Sequence, residues 1–204
     1  MRAALALAFL LWIGMGPVLA SGIDPALAAV YADLSIAPPR RDAVIICHGF
    51  GCKYRTMVGL TAADHNMLAQ LLAGGRTSAE AERRAVAVAV AWFERRVGSV
   101  AGTAHAVARA GPKMSGDPSQ FDCIDASRNT TTTLLLLEEL NLLHHHQVMP
   151  PQARGYFLDG RWPHATAVLR ETQTGTSWAV DSWTHKNGDK PDVLLLASWL
   201  AARH

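Results

Sequence analysis

Apolar residues along this 204-residue chain follow two rhythms, and the change between them comes past residue 150. Before it the spacing is mostly helical. "TAADHNMLAQLLAGG" opens with Thr61 and Asp64 in capping-box spacing, where each side chain answers the other's backbone N–H, and it stops at Gly74-Gly75. "TSAEAERRAVAVAVAWFERRVG" repeats the plan from Thr77 or Ser78 to Gly98. Its acidic first turn and Arg95-Arg96 at its end suit the helix dipole. In "DCIDASRNTTTTLLLLEELNLLHHH", positions 123, 126, 130, 133, 134, 137, 140 and 141 recur mainly at intervals of three and four and are mostly apolar or small. That predicts a long helix with Cys123 near its start; the four threonines lower propensity, which packing overrides.

The other rhythm is extended. "AVIIC", after the turn "APPRRD" at 37–42, is a short β-branched run that predicts a buried strand. Beyond "MPPQARG", "PHATAVLRE" and "TSWAVDSW" flank "TQTG" and predict a β-hairpin, and "KPDVLLLASWLAARH" predicts a closing helix with Pro191 in its first turn. The stretch from Gly98 to Phe121 is rich in Gly, Ala, Ser and Pro and reads as a loop or broken helix. Helices followed by a hairpin predict an α+β fold.

The first twenty residues change the picture of where this chain works. Arg2, an unbroken apolar run, the Gly16-Pro17 break and small residues at Val18 and Ala20 make the layout of a secretory signal peptide over 1–20, with an uncleaved anchor as the alternative. Cleavage after Ala20 leaves 204 − 20 = 184 residues, residues 21–204, as a single domain. The expected location is periplasmic or secreted, with no stable membrane insertion after cleavage. Half of the residues are hydrophobic, 18% are charged and the formal charge is +2, falling to +1 without Arg2, so nothing points to nucleic-acid binding.

An oxidising compartment makes the three cysteines informative. "CHGFGC" packs Cys47, His48 and Cys52 together. A zinc site there would lack a fourth ligand, and an α/β-hydrolase reading of "HGFG" lacks any G-x-S-x-G elbow. A Cys47–Cys52 disulfide across a tight loop is the remaining reading, and it leaves Cys123 as the free thiol. A catalytic Cys needs its thiolate stabilised, by a helix N-terminus or a nearby imidazolium, and a His oriented by a third group. The hairpin offers both partners. With a two-residue loop at Gln173-Thr174, paired positions sum to 347, so His164 faces Trp183 and Asp181 is its diagonal neighbour on the same face, within reach of a hydrogen bond. A three-residue loop would break that parity.

"DCID" at a helix start followed by "HATAVLRETQTGTSWAVDSW" resembles the transglutaminase-like superfamily, which includes exported bacterial transglutaminase-like cysteine proteases. The matching positions are Cys123, His164 opening a strand, and Trp178 with Asp181 in an aromatic-x-x-Asp pattern on the next strand. The resemblance covers about Phe121 to Trp183. It implies a transglutaminase-like or papain-like core with the nucleophile Cys at a helix N-terminus packed on an antiparallel sheet. It also implies a Cys-His-Asp triad that cleaves or transfers an amide bond of a protein or peptide substrate, without a cofactor. Gln120 is a weak candidate oxyanion donor. The usual "DCED", whose acidic residues contribute to calcium binding, is replaced here by Ile124 after the Cys, so no metal is expected. Cell-wall stem-peptide endopeptidases share the "DC" start but usually read "DCSG". A catalytically silent binding protein of the same fold is the further alternative. His144-His145-His146 cannot converge on one ion within a helix and reads as a helix C-terminal turn, and "NTT" at 129–131 is a formal N-glycosylation acceptor.

Overall fold

The computed structural model of the chain describes residues 23–155 and 163–202, so the expected signal peptide lies outside the described residues. The order of elements is α1 (Pro25–Asp33), β1 (Ala43–His48), β2 (Tyr54–Gly59), α2 (Ala62–Leu72), α3 (Ala79–Ala101), α4 (Cys123–Glu139), β3 (His146–Arg154), β4 (His164–Glu171), β5 (Ser177–Asp181), β6 (Asp192–Leu195) and α5 (Leu196–Ala201). This is an α+β arrangement with two antiparallel sheets, β1-β2 and β3-β4-β5-β6. No helix among the described residues is long and apolar enough to cross a membrane.

The α4 helix packs against β1, β3, β4, β5 and α3. It is buried on nearly every side, from Leu134 to Leu137 and through all four threonines. A buried hydroxyl needs a partner, and each Thr has one. Thr131 and Thr133 donate to the carbonyls of Ser127 and Asn129 one turn back, Thr130 pairs with Ser182, and Thr132 pairs with Tyr31 of α1. Propensity lost at four β-branched positions is thus offset by packing and by hydrogen bonds that lash α4 to its neighbours.

Both capping signals in the chain are realised. Thr61 and Asp64 form a reciprocal capping box at α2, and Ser78 caps α3. The α3 helix runs past Gly98, the expected end, to Ala101 and closes on Gly102 in the left-handed region at φ +75°. Gly98 is interior because the backbone of Ala104 lies about where a Cβ would stand, 3.3 Å away.

Three other expectations are corrected. The closing helix begins as a strand: Asp192–Leu195 pairs antiparallel with β5 before the chain turns into α5. The histidine run is no helix turn, because α4 ends at Glu139 and His146 opens β3. There, buried Glu82 of α3 accepts from the backbone N–H groups of His144 and His145, and it pairs with His146 Nδ1 at 2.8 Å. Finally, the β4-β5 turn spans four residues, Thr172 to Gly175, instead of two. Both lengths are even, so the register survives: Ala167 pairs with Val180, Val168 with Ala179 and Leu169 with Trp178, each pair summing to 347.

Candidate active site

Cys123 is the first residue of α4, and what holds it there is "CHGFGC". Gly49, Phe50, Gly51 and Cys52 all have positive φ, between 58° and 79°. Two of the four are not glycine, so this left-handed run persists only because its surroundings fix it. The disulfide Cys47–Cys52 closes it, with Cα atoms 4.5 Å apart. Successive N–H groups in such a run turn inward and form a concave anion site, here filled by the acidic side chains of the α4 cap. Asp125 accepts from Cys52 N–H at 2.6 Å and Phe50 N–H at 2.7 Å, and Asp122 accepts from Gly51 N–H at 2.9 Å. Asp122 and Asp125 also form a reciprocal capping box with each other's backbone. Burial first, then the Asp122 charge, pushes the Asp125 carboxyl up to about 7, against the pull of the Cys52 and Phe50 N–H groups.

The loop's other polar groups are occupied as well. The Asn129 amide accepts from Cys47 N–H and donates to Cys47 carbonyl, both at 2.8 Å. That side chain is buried, which removes "NTT" as a glycosylation acceptor in the folded chain. His48 joins the Pro118 carbonyl at 2.6 Å and the Thr56 hydroxyl at 2.9 Å. His48 is therefore a strut, and both cysteines of this loop are in the bridge. No cluster of three or more metal-ligating side chains exists among the described residues.

The hairpin brings His164 and Asp181 together as the 347 register requires. His164 Nε2 lies 2.6 Å from Asp181 Oδ2, with both residues buried. An ionised carboxylate only accepts, so Nε2 carries the proton and Nδ1 keeps a lone pair. Among the described residues Nδ1 has no hydrogen-bond partner, and Asp181 Oδ1, also buried, has none either. The imidazole lies between two indoles, with ring centroids 4.8 Å from Trp183 and 5.2 Å from Trp199.

Trp199 was not legible as a site residue. It comes from α5, is 2% exposed, and donates its Nε1–H to Asp181 Oδ2 at 2.8 Å. Nothing local to "LLLASWLAA" announces this; only the β6 strand before it delivers the ring. Trp178, the aromatic of the aromatic-x-x-Asp pattern, stacks under Arg83 at 3.8 Å.

Cys123 is the free cysteine and is half-buried. Its sulfur lies 3.9 Å from the Pro163 carbonyl, and the Ala165 N–H also reaches it. It therefore sits against the residues on either side of His164, without a hydrogen bond to the imidazole. Contrary to the expectation of a lowered pKa, burial pushes the thiol up to about 11, helped by the charges of Asp122 and Asp181 and opposed by the Ala165 N–H. Desolvation outweighs the backbone donors at the helix start, where the Asp122 charge also works against a thiolate. Gln120 is placed elsewhere: its Oε1 accepts from Val107 N–H at 3.0 Å and its Nε2 donates to Ser119. It braces the 103–121 loop and makes no hydrogen bond to Cys123.

A cavity of about 580 Å³ opens beside the pair, walled by His164, Asp181, the indoles of Trp178, Trp183 and Trp199, and the β6 strand. Cys123 is not part of that wall. Comparison of the chain with protein-family models, with curated proteins and with solved structures finds no match. The functional reading therefore rests on the chemistry of these residues.

Proposed function

We propose that this chain is a thiol enzyme of transglutaminase-like type that cleaves or transfers an amide bond through Cys123, His164 and Asp181, and that it works in an oxidising compartment. The single observation that carries the reading is the buried His164–Asp181 bond at 2.6 Å, which leaves an unpartnered Nδ1 one residue from the contacts of a free helix-start thiol. The Cys47–Cys52 bridge supports the compartment.

A thiol held near 11 implies a neutral resting pair, so the proton moves during attack and not before it. Cys123 S–H gives its proton to His164 Nδ1 as sulfur bonds to the amide carbonyl carbon. The backbone N–H of Cys123, at the helix start, would serve as a donor for the oxyanion. Collapse of the tetrahedral adduct breaks the C–N bond, and Nδ1–H protonates the departing amine. Water, or an acceptor amine, then gives a proton to Nδ1 and attacks the thioester, which returns the thiol. Asp181 holds the ring in the required tautomer and Trp199 holds Asp181.

One observation favours the rival reading, a silent binding protein of the same fold: the raised thiol without an imidazole bond. Acylation separates the two. With p-nitrophenyl acetate at pH 7.5, intact-mass analysis should show a single acetyl group on Cys123, formed faster than on free glutathione and slowed in the His164→Ala chain. A rate equal to glutathione's, or one indifferent to His164, would leave the binding protein as the better account.

A further inference from the structure

The geometry points to a carboxylate-recognising subsite in the cavity beside His164, with Arg109 as the residue that selects amide substrates bearing an anionic group. This rests on the acyl-transfer reading above and names its substrate class. The cavity is walled chiefly by indole rings and by Val193, Leu194 and Leu195, which suits the apolar body of a peptide. Four formally charged side chains other than His164 share the wall: Asp181, Asp192, Arg154 and Arg109.

Three of them are already engaged. Asp181 meets His164 and Trp199. Asp192 lies 3.1 Å from His185 and accepts from Thr184 at 2.9 Å. Arg154 lies over the Trp199 ring at 4.5 Å and donates to the Ala202 carbonyl. Arg109 alone lines the cavity with a side chain that has no hydrogen bond or ion pair to any described residue.

Its backbone shows that this placement is held and not incidental. Arg109 has φ +52°, a region that costs a non-glycine residue on the order of 1 kcal/mol and is kept only when the surroundings impose it. Here they do: Arg109 N–H donates at 2.9 Å to the carbonyl of Trp183, two residues past the end of β5, whose ring flanks His164. The loop behind is braced by Val107 N–H on Gln120 and Asn187 N–H on the Ala106 carbonyl. A planar fork of donors carried on a fixed backbone beside an apolar cavity matches a carboxylate, which it binds through two parallel hydrogen bonds. His164 lines the cavity and the thiol meets the residues on either side of it, so a substrate anchored by Arg109 would span both.

The test uses the Cys123→Ala chain, which binds without turning over, so its outcome is separate from that of the acylation experiment. Three probes are titrated while tryptophan fluorescence is followed: N-acetyl-Leu-Glu-Leu-amide, its Gln counterpart, and that Gln peptide with a free C-terminal carboxylate. The Glu peptide, or the free-carboxylate peptide if a chain end is the natural source, is expected to bind at least about tenfold tighter than the neutral one. In Arg109→Ala that ratio should fall to about threefold or less. Arg109→Gly, which removes the backbone strain and so safeguards the fold, should behave the same way. Equal binding of all three peptides, no binding of any, or a preference that survives both substitutions would overturn the proposal.

Discussion

The two ends of the site, the cradle under α4 and the cluster on the four-stranded sheet, are both buried and polar, yet they are built on opposite rules. In the cradle the donors and acceptors close on one another: Asp125, Asp122, Asn129 and His48 all find partners in or beside the Gly49–Cys52 run. On the sheet, His164 Nδ1 and Asp181 Oδ1 are left without partners. Saturated buried polarity rigidifies, whereas a buried atom left unpaired is kept at a cost of about 1–3 kcal/mol and calls for a reason. The contrast teaches that the chemically busiest stretch of sequence is the scaffold, and that the buried polar atoms still open to a ligand are on the sheet.

The largest effect expected from breaking this contrast is on rate. His164→Ala should slow acylation of Cys123 by about 100-fold or more, the usual contribution of a general base, while the urea midpoint stays close to that of the parent. A large drop in stability instead would make His164 another strut. On the cradle side the reverse is expected. Asp125→Ala strands the N–H groups of Phe50, Cys52 and Asp122 and should lower stability by about 3 kcal/mol in urea denaturation. Replacing both bridge cysteines by Ala should cost about 2 kcal/mol, the loop-closure value for so short a loop, and in the parent chain Cys123 should be the one thiol that alkylates without reduction. Trp199→Phe keeps the ring and deletes the N–H to Asp181; a roughly tenfold loss of acylation rate with unchanged stability would mark it as a positioning residue.

The smallest effect concerns pH. Glu94 on α3 lines a narrow apolar crevice, where burial pushes its carboxyl up to about 7 against the pull of the Gly188 N–H and Ser182. Between its ordinary value and 7 the unfolded chain gives up a proton that the folded chain retains. Stability should therefore fall as pH rises through that window, by at most about 1.4 kcal/mol per pH unit, and be flat above it. Glu94→Gln should remove the slope; an unchanged slope would assign it to other groups.

Local patterns were legible in the sequence and long-range ones were not. The capping box at Thr61, the Ser78 cap, the loop disulfide and the 347 register each follow from residues a few positions apart, or from parity alone; the Asp122–Asp125 box went unread. The β3 strand was hidden because Pro150 and Pro151 interrupt its alternation and cannot complete a ladder, and the register shifts there between Met149 and Gln152. β6 was hidden because four consecutive apolar residues suit a strand or a helix equally. The β1-β2 pairing, and with it a sheet ahead of the helices, went unread because Tyr54–Gly59 is mostly exposed and carries no apolar run. Trp199 could not be assigned to Asp181 without β6, since the strand sets where α5 lands. The raised thiol follows from burial, which no motif spacing reports.

The indole on Asp181 also sets an order in time. A chain is made from its beginning, so Cys123, His164 and Asp181 all emerge before the residue that completes the hold on the carboxylate. Until α5 docks, Asp181 has one donor instead of two and the imidazole is flanked by one ring instead of two. On the proposed reading the carboxylate and the imidazole are fully held only once the last helix closes, and clipping that helix would undo the hold.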